Sequence, residues 1–146
     1  MSASSDVIKS VLRFSNYVVN EIIFTVNPGF NKEDPIPISF DMDKNIVFDE
    51  ENNSATVTLV TKIFENAKDN NYPFEFKIVF TGSFHVENIK NEQERIMIET
   101  NAIAILFPYI RALITSFTAN ANVQPLILPP INVVKFMQDK TKKLQN

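Results

Sequence analysis

Residues 101–117 read Asn-Ala-Ile-Ala-Ile-Leu-Phe-Pro-Tyr-Ile-Arg-Ala-Leu-Ile-Thr-Ser-Phe. Together with Ile96, the residues Ile103, Phe107, Ile110, Ile114 and Phe117 recur at steps of three, four and seven. That is the spacing of an apolar stripe on a long helix. Pro108 sits inside the stripe. It must kink the helix or open its second part, because proline has no N–H to give to the preceding turn.

Upstream the period is two. Ile22, Phe24 and Val26 alternate with Glu21, Ile23 and Thr25 until Asn27-Pro28-Gly29 breaks the run. After Pro35-Ile36-Pro37, Ile38, Phe40 and Met42 share one face with Ile46 and Phe48. Val57, Leu59, Thr61 and Ile63 form a third run, and Phe74, Phe76, Ile78 and Phe80 a fourth that extends toward Val86. Polar turns at 49–54 and 66–73 separate them. Connections this short favour antiparallel pairing, since parallel pairs need longer crossovers.

Downstream of the helix, Gln124-Pro125-Leu126-Ile127-Leu128-Pro129-Pro130 is apolar and cannot be helical. Asn132 is a plausible N-cap for a last helix through Val133, Val134, Phe136 and Met137. Strands followed by helices imply an α+β fold. The expectation is a single domain over 1–146, with strands at about 17–86 and helices at about 92–144. Its sheet is a four-stranded antiparallel meander. A long kinked helix, an extended Pro-rich connector and a short C-terminal helix pack on one face.

Composition removes most chemistry. The chain has 146 residues, no Cys, one His, two Gly and a formal net charge of −3. Disulfides, thiol nucleophiles and Cys/His zinc sites are impossible. Two glycines cannot build a phosphate-cradling loop. The acidic balance argues against nucleic acid. The N-terminus has no basic segment followed by an apolar core, so it does not read as a secretory signal. The apolar stretch 100–122 carries Arg111 near its centre and several polar residues, which argues against membrane insertion. A cytoplasmic, non-enzymatic protein without cofactor or metal is expected.

The candidate sites are few. Asp41 and Asp43 share a strand face, as a carboxylate pair or, without a third ligand, as a solvated face. His85 has no Ser/Asp constellation around it in the sequence. Tyr109 and Arg111 read as helix anchors, the guanidinium bonding carboxylates or carbonyls. The unusual feature is an apolar surplus. Val19, Ile23, Val47, Val60 and Val79 fall off the parity of a one-sided sheet, and segment 124–130 adds more. Such a surplus serves self-association, an apolar groove or strand addition by an extended peptide.

Several stretches resemble the SecB protein-export chaperone family. They are Leu106-Phe-Pro-Tyr-Ile-Arg111, the Pro/Leu-rich run 124–129, the step Pro130-Ile131-Asn132 and the last helix from Val133. Ile38-Ser-Phe-Asp-Met-Asp43, Val57-Thr-Leu-Val-Thr61 and Thr81-Gly82-Ser83-Phe84 resemble the family's second, third and fourth strands. The resemblance covers about 17–136. It implies an ATP-independent holdase that binds unfolded precursor polypeptides in hydrophobic grooves and hands them to the SecA ATPase. It implies a homotetramer built as a dimer of dimers. A client groove would be lined by Ile38, Phe40, Met42, Leu126, Leu128 and Phe136. Glu21 would belong to a translocase-binding sheet face.

The sequence also departs from the family. Thr25 and Lys77 stand where further acidic residues are expected, and the chain ends in Lys140-Thr-Lys-Lys-Leu-Gln-Asn146 instead of an acidic tail. Some divergent SecB-like proteins chaperone the antitoxin of a toxin–antitoxin module, which is the alternative role. A hot-dog-type acyl-ligand enzyme is a further alternative. It would need a carboxylate or His aimed from the helix core, and residues 100–122 contain neither.

Overall fold

The computed structural model describes residues 11–31, 33 and 35–145, the last helix without side chains beyond residue 142. Its elements are β1 (Val11–Val26), β2 (Phe40–Asp49), β3 (Ser54–Ile63), α1 (Ala67–Asn70), β4 (Phe74–Glu87), α2 (Glu92–Asn120) and α3 (Val133–Gln145). The strands form one four-stranded antiparallel sheet in the order β1-β4-β3-β2. The fold is α+β, as the change of period implies. β2, β3 and β4 make the expected meander. β1 lies beside β4 and not beside β2, so the 27–39 connection leads to the far edge. Three hairpin-linked strands plus one such return is a Greek key.

The chain divides into two compact units. Among the described residues the first comprises 11–16, Ile46–Val57 and 83–145. The second comprises Tyr17–Asn45 and Thr58–Gly82.

In the second unit β3 and β4 bury alternate residues: Leu59, Thr61 and Ile63 on one, Phe74, Phe76, Ile78 and Phe80 on the other. The period-two pattern thus sets the register of the core face. The aromatic rings interlock. Phe24 lies 5.1 Å from Phe74 and 5.5 Å from Phe76, and Phe64 lies 4.8 Å from Tyr72 and 5.2 Å from Phe74. Phe64 has φ 55, a left-handed backbone unusual for a bulky residue. Its N–H donates to Ser39 C=O at 3.0 Å, which pins the entry to β2. Asn27 closes the end of β1. Its Nδ2 donates to the carbonyls of Ala67 and Tyr72, and its Oδ1 accepts from Gly29 N–H. The polar 66–73 turn holds the one-turn helix α1.

β1 is already formed at residue 11, the first described residue and six before the expected boundary. Its shielded side chains run Val11, Leu12 and Phe14, then Val19, then Ile22 and Phe24. Tyr17 joins the same side, stacked on Phe80 at 5.0 Å. The parity therefore shifts twice along the strand, between Phe14 and Tyr17 and again between Val19 and Ile22. Such irregularities are common in edge strands, and they hide the first half of β1 from an alternation test.

In the first unit α2 is continuous through Pro108. Its N-cap Asn91 accepts from Glu94 N–H at 2.9 Å, and Glu94 reaches back to Lys90 N–H. The buried stripe is Ile98, Ala102, Ile103, Leu106, Phe107, Ile110, Ile114 and Thr118. Ile103, Phe107, Ile110 and Ile114 lie in it as expected, and Phe117 is half-buried. Ile96 does not, being 55% exposed. Ile98, one and a half turns before Ile103, takes the inward position, so the stripe begins on a neighbouring row. Arg95 ties the first turn to the β2–β3 turn through an ion pair with Glu50 and by lying 4.7 Å over the Phe48 ring. Phe14 packs against Phe84 and Tyr109. α3 opens as anticipated, with Asn132 Oδ1 accepting from Lys135 N–H at 3.0 Å. Helix α2 is long and apolar enough to cross a membrane by length and composition. Here its apolar stripe is covered by protein.

Candidate functional site

The connector 121–132 is the least conventional part of the first unit. It belongs to no strand or helix, yet it is tethered. Among the polar side chains of α2, Arg111, Thr115 and Thr118 follow one another at steps of four and three. That spacing puts them on one row of the helix. Thr118 Oγ1 accepts from Leu126 N–H at 2.8 Å. Thr115 Oγ1 donates to Leu126 C=O at 2.9 Å, and Arg111 Nη2 donates to Leu128 C=O at 2.9 Å. Thr118 also donates to Ile114 C=O within its own helix at 2.8 Å. Segment 124–130 has three prolines and no sheet partner, so helix side chains supply what a neighbouring strand would otherwise give. Arg111 bonds a carbonyl, as expected of a helix anchor. Its Nε is buried without a hydrogen-bond partner among the described residues.

The tether presents the connector residues alternately. Leu126 is half-buried, Ile127 is 71% exposed and Leu128 is 1% exposed. Of the groove residues expected in this unit, Leu128 is closed off from solvent, while Leu126 and Phe136 remain partly open. Those in the second unit lie on or just before β2. Met42 is fully buried, Phe40 is half-buried and Ile38 is 37% exposed. Ile127 was missed as a candidate because an apolar residue between two leucines carries no periodicity of its own. Its signal is the proline placed two residues to either side. Thr115 and Thr118 were missed too. Their signal is a polar row at helical spacing, next to a segment short of backbone partners.

The remaining candidates lie apart from the connector. Glu21 on β1 is exposed and pairs with Lys77 on β4 at 3.5 Å, both in the second unit. The carboxylate and the lysine therefore offset each other on the solvent side of that unit. His85 and Glu87, two apart on β4, approach to 3.4 Å in the first unit. Asp43 is exposed and Asp41 half-buried, with Asp41 Oδ1 accepting from Met42 N–H. Among the described residues no group of three His, Asp or Glu is placed to hold a metal ion. Off-parity apolar residues stay at the surface in both units: Ile23 at 49% in the second, Val47 at 56% in the first.

The comparisons with known proteins turn on the same segments. The family model described as preprotein translocase subunit SecB matches residues 23–144, from β1 through the connector to α3. This chain belongs to the SecB family. A protein-export protein SecB of Rickettsia felis is 32% identical over 110 residues, covering 75% of this chain and 71% of that protein. An uncharacterized protein of Methanocaldococcus jannaschii is 37% identical over 130 residues, covering 88% of this chain and 84% of its own. Among solved structures, a SecB-like chaperone of Mycobacterium tuberculosis, in complex with a ChAD peptide from an antitoxin, superposes with a TM-score of 0.63. It shares 14% identity and covers 82% of this chain and 87% of its own, which establishes a SecB-like fold.

Proposed function

We infer that this chain is an ATP-independent holdase chaperone acting as one SecB-like domain over its whole length. It holds non-native polypeptides in an extended state. The observation that carries the reading is the connector of a SecB-family chain, an apolar extended segment fixed to α2 with Ile127 turned 71% into solvent. Folding normally hides such a segment, and here side-chain hydrogen bonds hold it open. Binding is burial of apolar surface, at about 25 cal/mol per Å², which needs no particular client sequence. The client-contacting residues are Ile38 and Phe40 in the second unit and Leu126 and Phe136 in the first, while Met42 and Leu128, closed off from solvent, back them from below. The protein works in the cytoplasm as a homotetramer, without cofactor or catalysis.

Two client roles are open to the same surface. In export, the Glu21 sheet face would dock SecA and the clients would be secretory precursors. The relatives named for protein export support this. In the other, the client is a single antitoxin. The Glu21–Lys77 pair favours it, because the lysine offsets the local negative charge an export partner would read. The test is suppression of aggregation. At equimolar tetramer and without ATP, the protein should keep a chemically unfolded client soluble on dilution. No suppression, together with no binding of unfolded polypeptide at micromolar concentration, would remove the chaperone reading.

A further inference from the structure

The connector is tethered along one edge only. Leu126 turns both its N–H and its C=O to α2, and Leu128 turns its C=O the same way. In an extended chain successive residues turn their backbone groups to opposite sides. The N–H and C=O of Ile127 therefore face away from α2. Among the described residues nothing bonds either group. Pro125 and Pro129 stand two residues to each side and share this outward direction, and neither has an N–H. The outward edge thus holds one donor, at Ile127, beside its own acceptor. Residues 121–134 contain no charged side chain.

We propose that this edge is a one-residue backbone clamp for an extended client polypeptide. One client residue exchanges both N–H···O=C bonds with Ile127, as in a hydrogen-bonded antiparallel pair, while the Ile127 side chain covers client apolar atoms. A donor and an acceptor side by side on one residue match a peptide backbone. An uncharged surround gives no purchase to an ionic ligand. The pairing is blind to client sequence, because it reads main chain alone. The flanking prolines stop it from spreading to a second donor, so each contact is weak and exchangeable. The proposal names a subsite within the chaperone reading and rests on it.

The test follows the Ile127 amide by hydrogen exchange in the full protein, with reduced, carboxymethylated lactalbumin as a permanently unfolded probe. Saturating probe should slow exchange at Ile127 about fivefold or more, the worth of one backbone hydrogen bond. Leu126, already bonded to Thr118, should change less. Native lactalbumin should change neither. Affinities of Ile127→Ala and Ile127→Pro provide the second arm. The alanine variant keeps the N–H and the proline variant deletes it, so proline should weaken probe binding about fivefold more than alanine. If the protein binds the probe while Ile127 exchange is unchanged, the clamp is wrong and the chaperone reading stands. Equal affinities of two folded variants would say the same. Full protection of Ile127 before any probe is added would mean that a second copy covers the edge, which also overturns the clamp. If the wild-type protein does not bind the probe at all, both readings fall together.

Discussion

Thr118→Val is the sharpest probe of how the connector is held. The substitution keeps the shape of a fully buried side chain and removes a hydroxyl that makes two strong contacts. Its bond to Ile114 C=O is local and is lost at little cost, since that carbonyl belongs to the helix. The bond from Leu126 N–H is different. That donor loses its acceptor next to a buried site, and an unsatisfied buried donor costs about 1–3 kcal/mol. Thr115→Val is the matched control. It removes a donor from Leu126 C=O at a less buried position, where water can replace it, so it should cost about 0.5–1 kcal/mol. With a urea slope of about 2 kcal/mol per M, Thr118→Val should lower the midpoint by about 0.5–1.5 M at fixed protein concentration. Thr115→Val should lower it by less than half of that. The slope should be unchanged. Both bonds act on the backbone of one residue, so the double variant should be non-additive by about 0.5 kcal/mol or more. A Thr118→Val protein as stable as the parent, or a strictly additive pair, would refute the tether.

Two further outcomes follow from the second unit. Asn27→Ala removes three hydrogen bonds from a residue that is 8% exposed, and it should cost about 2–3 kcal/mol in a urea titration. Lys77→Ala breaks an ion pair whose partners are 41% and 49% exposed. It should leave stability within about 0.5 kcal/mol and should strengthen binding to a SecA preparation if the export role holds.

The parts of the fold that were legible in the sequence are those governed by a single period. β4 buries every second residue from Phe74 to Val86, as its alternation of Phe and Ile with polar residues required. α2 buries Ile103, Phe107, Ile110 and Ile114 at helical steps, and Asn132 caps α3 because its side chain can reach Lys135 N–H. Legibility fails where two constraints compete. β1 changes parity twice, and in its first half the alternation of Leu12 and Phe14 with Arg13 and Ser15 is too short to mark a strand before the first shift. Its place beside β4 is a long-range choice that no local pattern encodes. Ile96 and Ile98 are equally apolar, and only packing decides which turns inward. The site was half legible. The apolar connector stood out by composition, whereas its fastening to Thr115 and Thr118 depends on where an irregular chain passes a helix.

The prolines of the connector have a consequence for the company this protein keeps. A greasy, extended segment left open to water is the usual seed of ordered aggregates, because each added chain offers a fresh row of donors and acceptors to the next. Here that row is cut to a single donor, with Pro125 and Pro129 as blank positions on either side. A strand that paired there would find no second donor on which to template a further layer. The exposed connector therefore gives copies of this protein no run of backbone donors on which to build a fibre.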